Sequence, residues 1–255
     1  KSKSISNPLS LLNIFAKMSI GDYWFETGTP SYLVELLKHT HYDLYEMANT
    51  ETDADVLNSI DSASNNPIPV IYQSGYRTIK GYDPEFGIYL GYPNKDVEEG
   101  FVKYLLPFYT SIQASKTPFE IGQFVREIRS GNYDAFFHRL QSFFADTPYE
   151  VIAGQKPERD TELHYRNVLF IVFKLVGLYT QMEYHTSNGR IDLVLQTDRY
   201  VYIMEFKLNG TAEEALRQIE EKGYALPFAA DKRQVIKIGA NFSSETRNIE
   251  RWLVG

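Results

Sequence analysis

The chain has 255 residues, a formal net charge of −7, no cysteine and 43% apolar residues. This composition excludes disulfide-stapled folds and thiolate metal sites, and it argues against intrinsic disorder. The length suits two domains, and no apolar run approaches the roughly 20 residues of a membrane helix. We therefore expect a cytoplasmic protein without a membrane partner. Because the chain begins with Lys1 and not with Met, we expect it to be a fragment of a longer protein.

The first third of the chain predicts a small helical module that ends in a β-hairpin. Residues 1–7 are polar and are predicted to be a disordered tail, whereas apolar spacing within 8–95 predicts short helices and then two strands around Asp83-Pro84-Glu85-Phe86. Helices followed by a hairpin are typical of a winged-helix-like module. Residues 1–110 hold eight basic and fourteen acidic side chains, so phosphate affinity should be poor there and we expect a protein partner. The predicted elements are helices Pro8–Lys17, Pro30–Lys38 and Asp53–Ile60, and strands Thr78–Tyr82 and Gly87–Gly91.

The rest of the chain predicts a helical connector over 96–157 and an α+β domain over 158–255. The domain pattern is α-β-β-β-α-β, which indicates a mixed sheet flanked by helices. Residues 180–255 hold ten basic and eleven acidic side chains, so the acidity of the chain lies mainly in its first third. The predicted helices are Val97–Phe108, Pro118–Ser130, Asn132–Phe144, Glu162–Leu178 and Thr211–Ala225, and the predicted strands are Thr180–Thr186, Arg190–Gln196, Tyr200–Lys207 and Gln234–Phe242.

Charged residues occur at related positions of two neighbouring predicted strands. If the loop between them is centred between Asp198 and Arg199, Asp192 lies directly opposite Glu205 with Cβ atoms about 5 Å apart. Lys207 then points to the same sheet face as Glu205. This register requires a loop of two or four residues, and Asp-Arg is not a favoured tight-turn pair. A loop of three or five residues would place the two acids on opposite faces.

Two acids facing each other in a buried strand pair are costly unless positive charge compensates them. Lys207 supplies one charge, and a divalent cation would supply two more. Carboxylate oxygens suit Mg²⁺ or Mn²⁺, and such an ion can polarise a phosphodiester and activate water. The structural alternative is a buried Lys–carboxylate pair that closes one end of a sheet.

Asp192, followed by a hydrophobic strand with Glu205-Phe206-Lys207, resembles the signature of the PD-(D/E)XK nuclease superfamily, which has the restriction-endonuclease-like fold. Ile191-Asp192 stands in place of the Pro-Asp of the name. More specifically, the chain resembles the C-terminal portion of a bacterial family in which such a domain follows an AAA-ATPase-like region. The resemblance implies that Asp192 and Glu205 hold the metal, that Lys207 is catalytic, and that 8–95 is the end of the ATPase-like region.

Additional site residues follow from the same resemblance. Some branches of the superfamily add an acid from the first helix, and Glu162 is the candidate; it is otherwise a helix N-terminal acid favoured by the helix dipole. Gln218 and Tyr224 resemble a Gln-x-x-x-Tyr helix, although their spacing here is six, so Gln218 is the candidate and Tyr224 is more typical of a core residue. Arg190 and Arg217 are candidates for phosphate contact. The segments that resemble the bacterial family are Gly189–Val194, Ile203–Lys207, Ala212–Tyr224 and Ala240–Ile249.

The sequence therefore predicts a Mg²⁺- or Mn²⁺-dependent nuclease, with DNA the expected substrate and a metal-activated water the nucleophile. Its expected partners are nucleic acid, the ATPase-like region of the same protein, and a protein on the 8–95 module. The rival hypothesis is a non-catalytic nuclease-fold module that serves protein interaction or regulates the attached ATPase.

Overall fold

The structure is a computed structural model that describes a large part of the chain. The predicted tail 1–7 and most of the predicted helix Pro8–Lys17 lie outside the described residues. The described residues are 15–16, 18, 30–48, 51–59, 66–110, 112–145, 157–177, 181–187 and 190–255, and the side chains of 30, 48, 157–161, 181–187 and 190–192 lie outside the description.

The chain divides into two compact units, Lys1–Leu105 and Leu106–Gly255. The predicted connector of 96–157 is therefore shared between the units and does not form a third one. The physical reason is that Phe137 of its third helix packs against Phe206 of the sheet, while Phe124 of its second helix packs against Phe136 of the third. The functional boundaries 8–95, 96–157 and 158–255 stay predictions.

The first unit consists of short helices and a three-stranded antiparallel sheet with strand order β1-β3-β2. The second predicted helix, Pro30–Lys38, and both hairpin strands are confirmed to within about a residue, and the third predicted helix is shorter than expected. Helix α4 is not predicted, because β-branched Val70 and Ile71 favour strands locally, whereas burial of Ile68 and Ile71 favours the helix in the fold. The elements are α1 (Pro30–His39), α2 (Leu44–Ala48), β1 (Glu51–Thr52), α3 (Ala54–Asn58), α4 (Ile68–Gln73), β2 (Thr78–Asp83) and β3 (Gly87–Gly91).

The turn between β2 and β3 is fixed by one carboxylate and one glycine. The Asp83 Oδ1 atom accepts hydrogen bonds from the backbone N–H groups of Glu85 at 2.7 Å and Phe86 at 3.1 Å. Gly87 has φ of +87°, and a Cβ atom there would lie 2.6 Å from the Thr52 carbonyl oxygen. The turn therefore needs a residue without a side chain at this position.

The second unit is a mixed five-stranded sheet with helices on both faces. Strand order is β4-β5-β6-β7-β8; β6 and β7 are parallel and the other neighbours are antiparallel. This confirms the predicted mixed α+β class, and the arrangement is compatible with a restriction-endonuclease-like fold. Helix α5 (Lys95–Tyr109) crosses the chain boundary between the two units. The elements of the second unit are α6 (Thr117–Ser130), α7 (Tyr133–Ala145), α8 (Pro157–Gly177), β4 (Gln181–Ser187), β5 (Arg190–Gln196), β6 (Tyr200–Leu208), α9 (Ala212–Glu221), β7 (Gln234–Ser243) and β8 (Asn248–Val254).

Strand β6 separates two packing layers because successive side chains point to opposite faces. On one face, Phe206 packs against Phe173 of α8 and Phe137 of α7, with ring centroids 5.9 Å and 6.1 Å apart. On the other face, Val201 and Ile203 form a buried cluster with Ile219 of α9. Among the described residues, no helix is long and apolar enough to cross a membrane.

Strand β8 is an element that the sequence does not predict. It forms the edge of the sheet beside β7, and its Trp252 ring stacks on Phe137 with centroids 5.1 Å apart. The Trp252 Nε1–H group donates to the Asp134 carboxylate at 2.8 Å. Exposed charged residues interrupt the apolar pattern of this short segment, so pairing with β7 and packing on α7 decide its structure.

Helix α9 packs directly on the backbone of β7 at Gly239. A Cβ atom at Gly239 would lie 2.3 Å from the Ala212 carbonyl oxygen and 2.4 Å from the Leu216 backbone nitrogen. We expect Gly239→Ala to lower the free energy of unfolding of the second unit by about 3 kcal/mol, because helix and strand must separate. Urea denaturation measures this change.

The control for this variant is Gly122→Ala in α6, where the nearest atom to a new Cβ is Arg126 Nη1 at 3.7 Å. That substitution should leave stability unchanged or raise it by up to about 1 kcal/mol, because alanine is the better helix former. Equal denaturation midpoints for the two variants would contradict the close approach of α9 to β7.

Candidate active site

The hairpin of β5 and β6 has the register that the sequence analysis predicts. Asp192 pairs with Glu205, and Arg190 pairs with Lys207. The loop is closed by a hydrogen bond of 2.8 Å from the Thr197 N–H group to the Tyr200 carbonyl oxygen. The alternative registers with an odd loop are therefore excluded, and position 192 lies on the sheet face that carries Glu205.

Hydrogen bonds made by Thr197 and Arg233 explain how Asp198 and Arg199 can occupy the centre of this turn. The Thr197 hydroxyl oxygen accepts from the Tyr200 N–H group at 3.0 Å. Arg233 donates to the Thr197 carbonyl oxygen at 3.1 Å and to Gln196 Oε1 at 2.8 Å. The same guanidinium binds Asp231 and holds the pKa of that carboxyl at about 2, so the ion pair persists at any ordinary assay pH.

Glu205 is completely buried, with 0% of its surface exposed. The ammonium nitrogen of Lys207 lies 3.4 Å from its Oε1 atom. A carboxylate in this position loses its hydration, at a cost of several kcal/mol that nearby positive charge must offset. Glu205 supplies buried carboxylate oxygens, the type of donor that a hard divalent cation prefers.

Lys207 connects the buried carboxylate of β6 with helix α9. Its ammonium group donates a hydrogen bond to Gln218 Oε1 of α9, and its side chain is 23% exposed. Glu205 on one side and Gln218 on the other hold the ammonium at the carboxyl end of β6. The structure thus brings together three of the predicted site residues, Glu205, Lys207 and Gln218.

The segment between β6 and α9 sets the position of Gln218. Thr211 caps α9 by accepting from the Glu214 N–H group at 3.0 Å, and Glu214 accepts from the Thr211 N–H group at 3.0 Å. Asn209, at φ of +54°, donates its N–H to the Phe242 carbonyl oxygen at 2.8 Å. Because both ends of this short connection are fixed, α9 begins at a defined place beside Lys207.

A cleft beside Lys207 contains the predicted acid of the first helix of the domain. Glu162 and Arg166 of α8 line it together with Lys207. Tyr165, also in the cleft, is buried, and burial raises the pKa of its phenol, which keeps it neutral. Glu162 thus shares a cleft with Lys207, and Oε1 of Glu162 lies 4.0 Å from Arg166 Nη1. The remaining lining residues are Phe206, Leu208 and Phe242.

The other residues that the sequence analysis singled out do not contact Lys207 in the described part of the structure, or their side chains lie outside it. The Arg217 side chain is 63% exposed, and its Nε atom lies 3.8 Å from Glu221. Tyr224 packs against the apolar cluster under α9, as expected for a core residue. The side chains of Arg190 and Asp192 lie outside the description, and no group of three or more acidic or histidine side chains that could hold a metal occurs among the described residues.

Two residues of this region are not predicted from the sequence. Arg166 follows Glu162 by four positions, so helical spacing alone could have placed both on one face. Asn209 gives no comparable signal, because its role depends on the end of β7, which lies more than thirty positions away in the chain.

The C-terminal part of the chain matches a known family. Residues 160–252 match the family model of the PD-(D/E)XK nuclease superfamily. The predicted site residues lie within this range of the chain, and a nuclease domain of this superfamily suggests a nuclease function.

A longer bacterial protein is similar over almost the whole chain. An uncharacterized protein in the vnfD 5′ region of Azotobacter chroococcum mcd 1 is 29% identical over 259 residues, which covers 99% of this chain and 49% of that protein. The chain therefore spans about half the length of the curated relative it matches. No solved structure matches the chain.

Proposed function

We propose that this chain carries a Mg²⁺- or Mn²⁺-dependent nuclease that hydrolyses phosphodiester bonds, with DNA as its substrate. The observation that carries the proposal is the pairing of Asp192 with a fully buried Glu205, beside the Lys207 ammonium. A fully buried carboxylate beside an ammonium group is costly for the fold and useful for phosphate chemistry. The superfamily match over 160–252 supports the same chemistry.

The proposed roles combine the positions of the described groups with those that the superfamily likeness implies. Glu205 and Asp192 would hold the cation, and Glu162 would join them from α8. A bound Mg²⁺ or Mn²⁺ supplies charge neutralisation at the phosphate and activation of the attacking water. Lys207 would donate a hydrogen bond to a phosphate oxygen or orient the water, and Gln218 would restrict the Lys207 side chain to that geometry.

The test of the proposal is a cleavage assay with the full-length protein. Double-stranded DNA, single-stranded DNA and RNA are incubated with Mg²⁺ or Mn²⁺, and parallel reactions contain a chelator. We expect cleavage of DNA that requires the metal. If none of the substrates is cleaved under any of these conditions, the nuclease proposal is rejected in favour of a non-catalytic module that serves protein interaction or regulates an attached ATPase.

A Gln218→Ala variant tests the contact that restrains Lys207. Hydrogen bonds to charged groups contribute about 1.5–3 kcal/mol, so we expect kcat to fall by roughly tenfold or more while KM changes little. Steady-state kinetics on the preferred substrate measure both constants. The control is Glu220→Ala, which removes a similar contact between α9 and the strand lysine Lys237, 2.5 Å long, outside the proposed site.

For the first unit we propose a winged-helix module that binds a protein. Its described elements are two helices, a strand, two further helices and a hairpin, with β1 paired to the last strand β3, and this topology supports the proposal. The acidic balance of residues 1–110 disfavours DNA as the ligand of this unit. The preceding ATPase-like region and the cytoplasmic location remain predictions.

A further inference from the structure

The side chain of Asn209 joins the connection between β6 and α9 to the turn between β7 and β8. Its Oδ1 atom accepts hydrogen bonds from the Ser244 backbone N–H group at 2.8 Å and from the Ser244 hydroxyl group at 2.9 Å. Within the described ranges, four residues other than glycine have φ in the left-handed region, and two of them, Asn209 and Arg247, lie in these two segments. Backbone strain that surrounding contacts keep in place is typical of segments that orient functional groups.

We infer that Asn209 is a positioning residue for the Lys207 ammonium group, an inference that rests on the proposed function. Asn209 lies two residues after Lys207 and two residues before Thr211, which caps α9. Its contacts with Ser244 fix the start of α9 at the end of β7. Gln218, which holds the ammonium, lies about 10 Å further along the axis of that helix. Because a helix is stiff over this length, the position of its first turn determines where Gln218 meets Lys207.

Gly210 lies in a confined part of the same connection. A Cβ atom at this position would lie 3.0 Å from Lys207 Cβ and 3.1 Å from Glu214 Oε2. Glu214 belongs to the capping box at the start of α9. The connection is therefore packed between the stem of the lysine and the first turn of the helix, so a change in the backbone at Asn209 displaces one or both of them.

The competing explanation is that packing alone holds α9 in place. The helix backbone approaches Gly239 closely, and Ile219 is buried in the apolar cluster with residues of β6. The contacts of the exposed Asn209 side chain would then stabilise the fold without affecting the site. Under that explanation, Asn209 variants lower the Tm but leave the Lys207 ammonium and the kcat of the folded protein unchanged.

The variants Asn209→Gly and Asn209→Asp separate the side chain from the backbone. Glycine adopts a left-handed φ without strain but removes both contacts with Ser244, whereas aspartate keeps the accepting oxygen and tolerates this conformation. NMR of the full-length protein with isotope-labelled lysine reports on the Lys207 ammonium without substrate or metal, and Lys207→Arg assigns its signal. We expect a separate Lys207 signal in the wild type, a shift toward the exposed lysines in Asn209→Gly, and the wild-type signal in Asn209→Asp.

Cleavage kinetics supply the second measurement. Asn209→Gly should lower kcat about fivefold with little change in KM, because the lysine is less well placed while substrate binding is retained. Asn209→Asp should keep kcat within about twofold of the wild type. The control is Asn132→Gly at the start of α7, an exposed asparagine whose Oδ1 atom accepts from the Ala135 N–H group at 3.1 Å. It should leave both the Lys207 signal and kcat unchanged.

The NMR outcomes separate this inference from the proposed nuclease function. A Lys207 signal that shifts in Asn209→Gly and returns in Asn209→Asp supports the positioning role, even if the wild type cleaves no substrate and the nuclease is rejected. An unchanged signal in Asn209→Gly, a signal that Asn209→Asp does not restore, or no separate signal in the wild type overturns the inference, whether or not the wild type cleaves DNA. An unchanged kcat in a cleaving protein also overturns it. If Asn209→Gly does not fold, Ser244→Ala, which removes only the hydroxyl contact, takes its place with the same expected direction of change.

Discussion

Replacing Lys207 with alanine is expected to reduce DNA cleavage by about a hundredfold to a thousandfold. Its ammonium lies 3.4 Å from a buried carboxylate and donates to Gln218, so it is held at the carboxyl end of β6 before any substrate arrives. Removing one preorganised donor from a reacting centre costs about 10²–10³ in kcat. Single-turnover cleavage at saturating Mg²⁺ measures the chemical step without the contribution of product release.

The control for this variant is Lys237→Ala. Lys237 lies on the neighbouring strand β7 and contacts Glu220 of α9, so it resembles Lys207 in burial and in its link to the same helix. Its removal should leave cleavage unchanged. Because Lys207→Ala also leaves the Glu205 charge less compensated, its folding is checked by circular dichroism and it is compared with Lys207→Arg, which keeps the positive charge. Cleavage by Lys207→Ala within about threefold of the wild type would exclude Lys207 as the catalytic lysine.

Replacing Glu205 with glutamine is expected to abolish both cleavage and the stabilisation that Mg²⁺ or Mn²⁺ gives to the second unit. A ligand present at about a hundred times its Kd stabilises the folded state by about 2.7 kcal/mol. For a unit of this size that corresponds to an increase in Tm on the order of 5–10 °C in the wild type. Glutamine has nearly the same shape as glutamate but lacks the charge that holds the cation, so the increase should disappear.

Without metal, Glu205→Gln should be at least as stable as the wild type. The side chain is fully buried, and exchanging a buried charge for a neutral amide removes a desolvation cost. Thermal unfolding with and without Mn²⁺ measures both effects, and Glu220→Gln on the exposed part of α9 is the control. If metal stabilises Glu205→Gln as much as the wild type, the ion binds elsewhere.

The same unfolding experiment distinguishes the structural alternative, in which Lys207 and Glu205 merely close one end of the sheet. That alternative predicts no metal-dependent change in the wild type and a loss of stability in Glu205→Gln. The two explanations therefore differ in the sign of the stability change without metal and in the response to metal.

The register of the site could be predicted from the sequence because it depends on local rules. Antiparallel pairing across a short loop fixes which positions face each other, and the side-chain period of two fixes the face. Counting outward from Asp198 and Arg199 therefore places Asp192 against Glu205, as the structure shows. The helices of the second unit were predictable for a similar reason, since their apolar residues repeat with the period of the helix.

Contacts between distant segments could not be predicted in this way. The hydrogen bond from Lys207 to Gln218 depends on where α9 begins, and that depends on a capping box and on the fixed end of β7. Strand β8 forms because Trp252 stacks on Phe137 and donates a hydrogen bond to Asp134, more than a hundred residues earlier in the chain. The association of α6 and α7 with the second unit has the same cause, since Tyr202 donates to the Ile128 carbonyl oxygen of α6 at 2.7 Å.

The sequence by itself determined the class of fold, the hairpin that pairs Asp192 with Glu205, and the face on which Lys207 lies. These follow from periodicity and from pairing across one short loop. The tertiary structure decided which helix holds Lys207, that Glu162 and Arg166 share its cleft, and that β8 completes the sheet. The physical reason is that these contacts depend on the burial of apolar surface between segments that are distant in the chain. The periodicity of one segment does not determine which other segment packs against it.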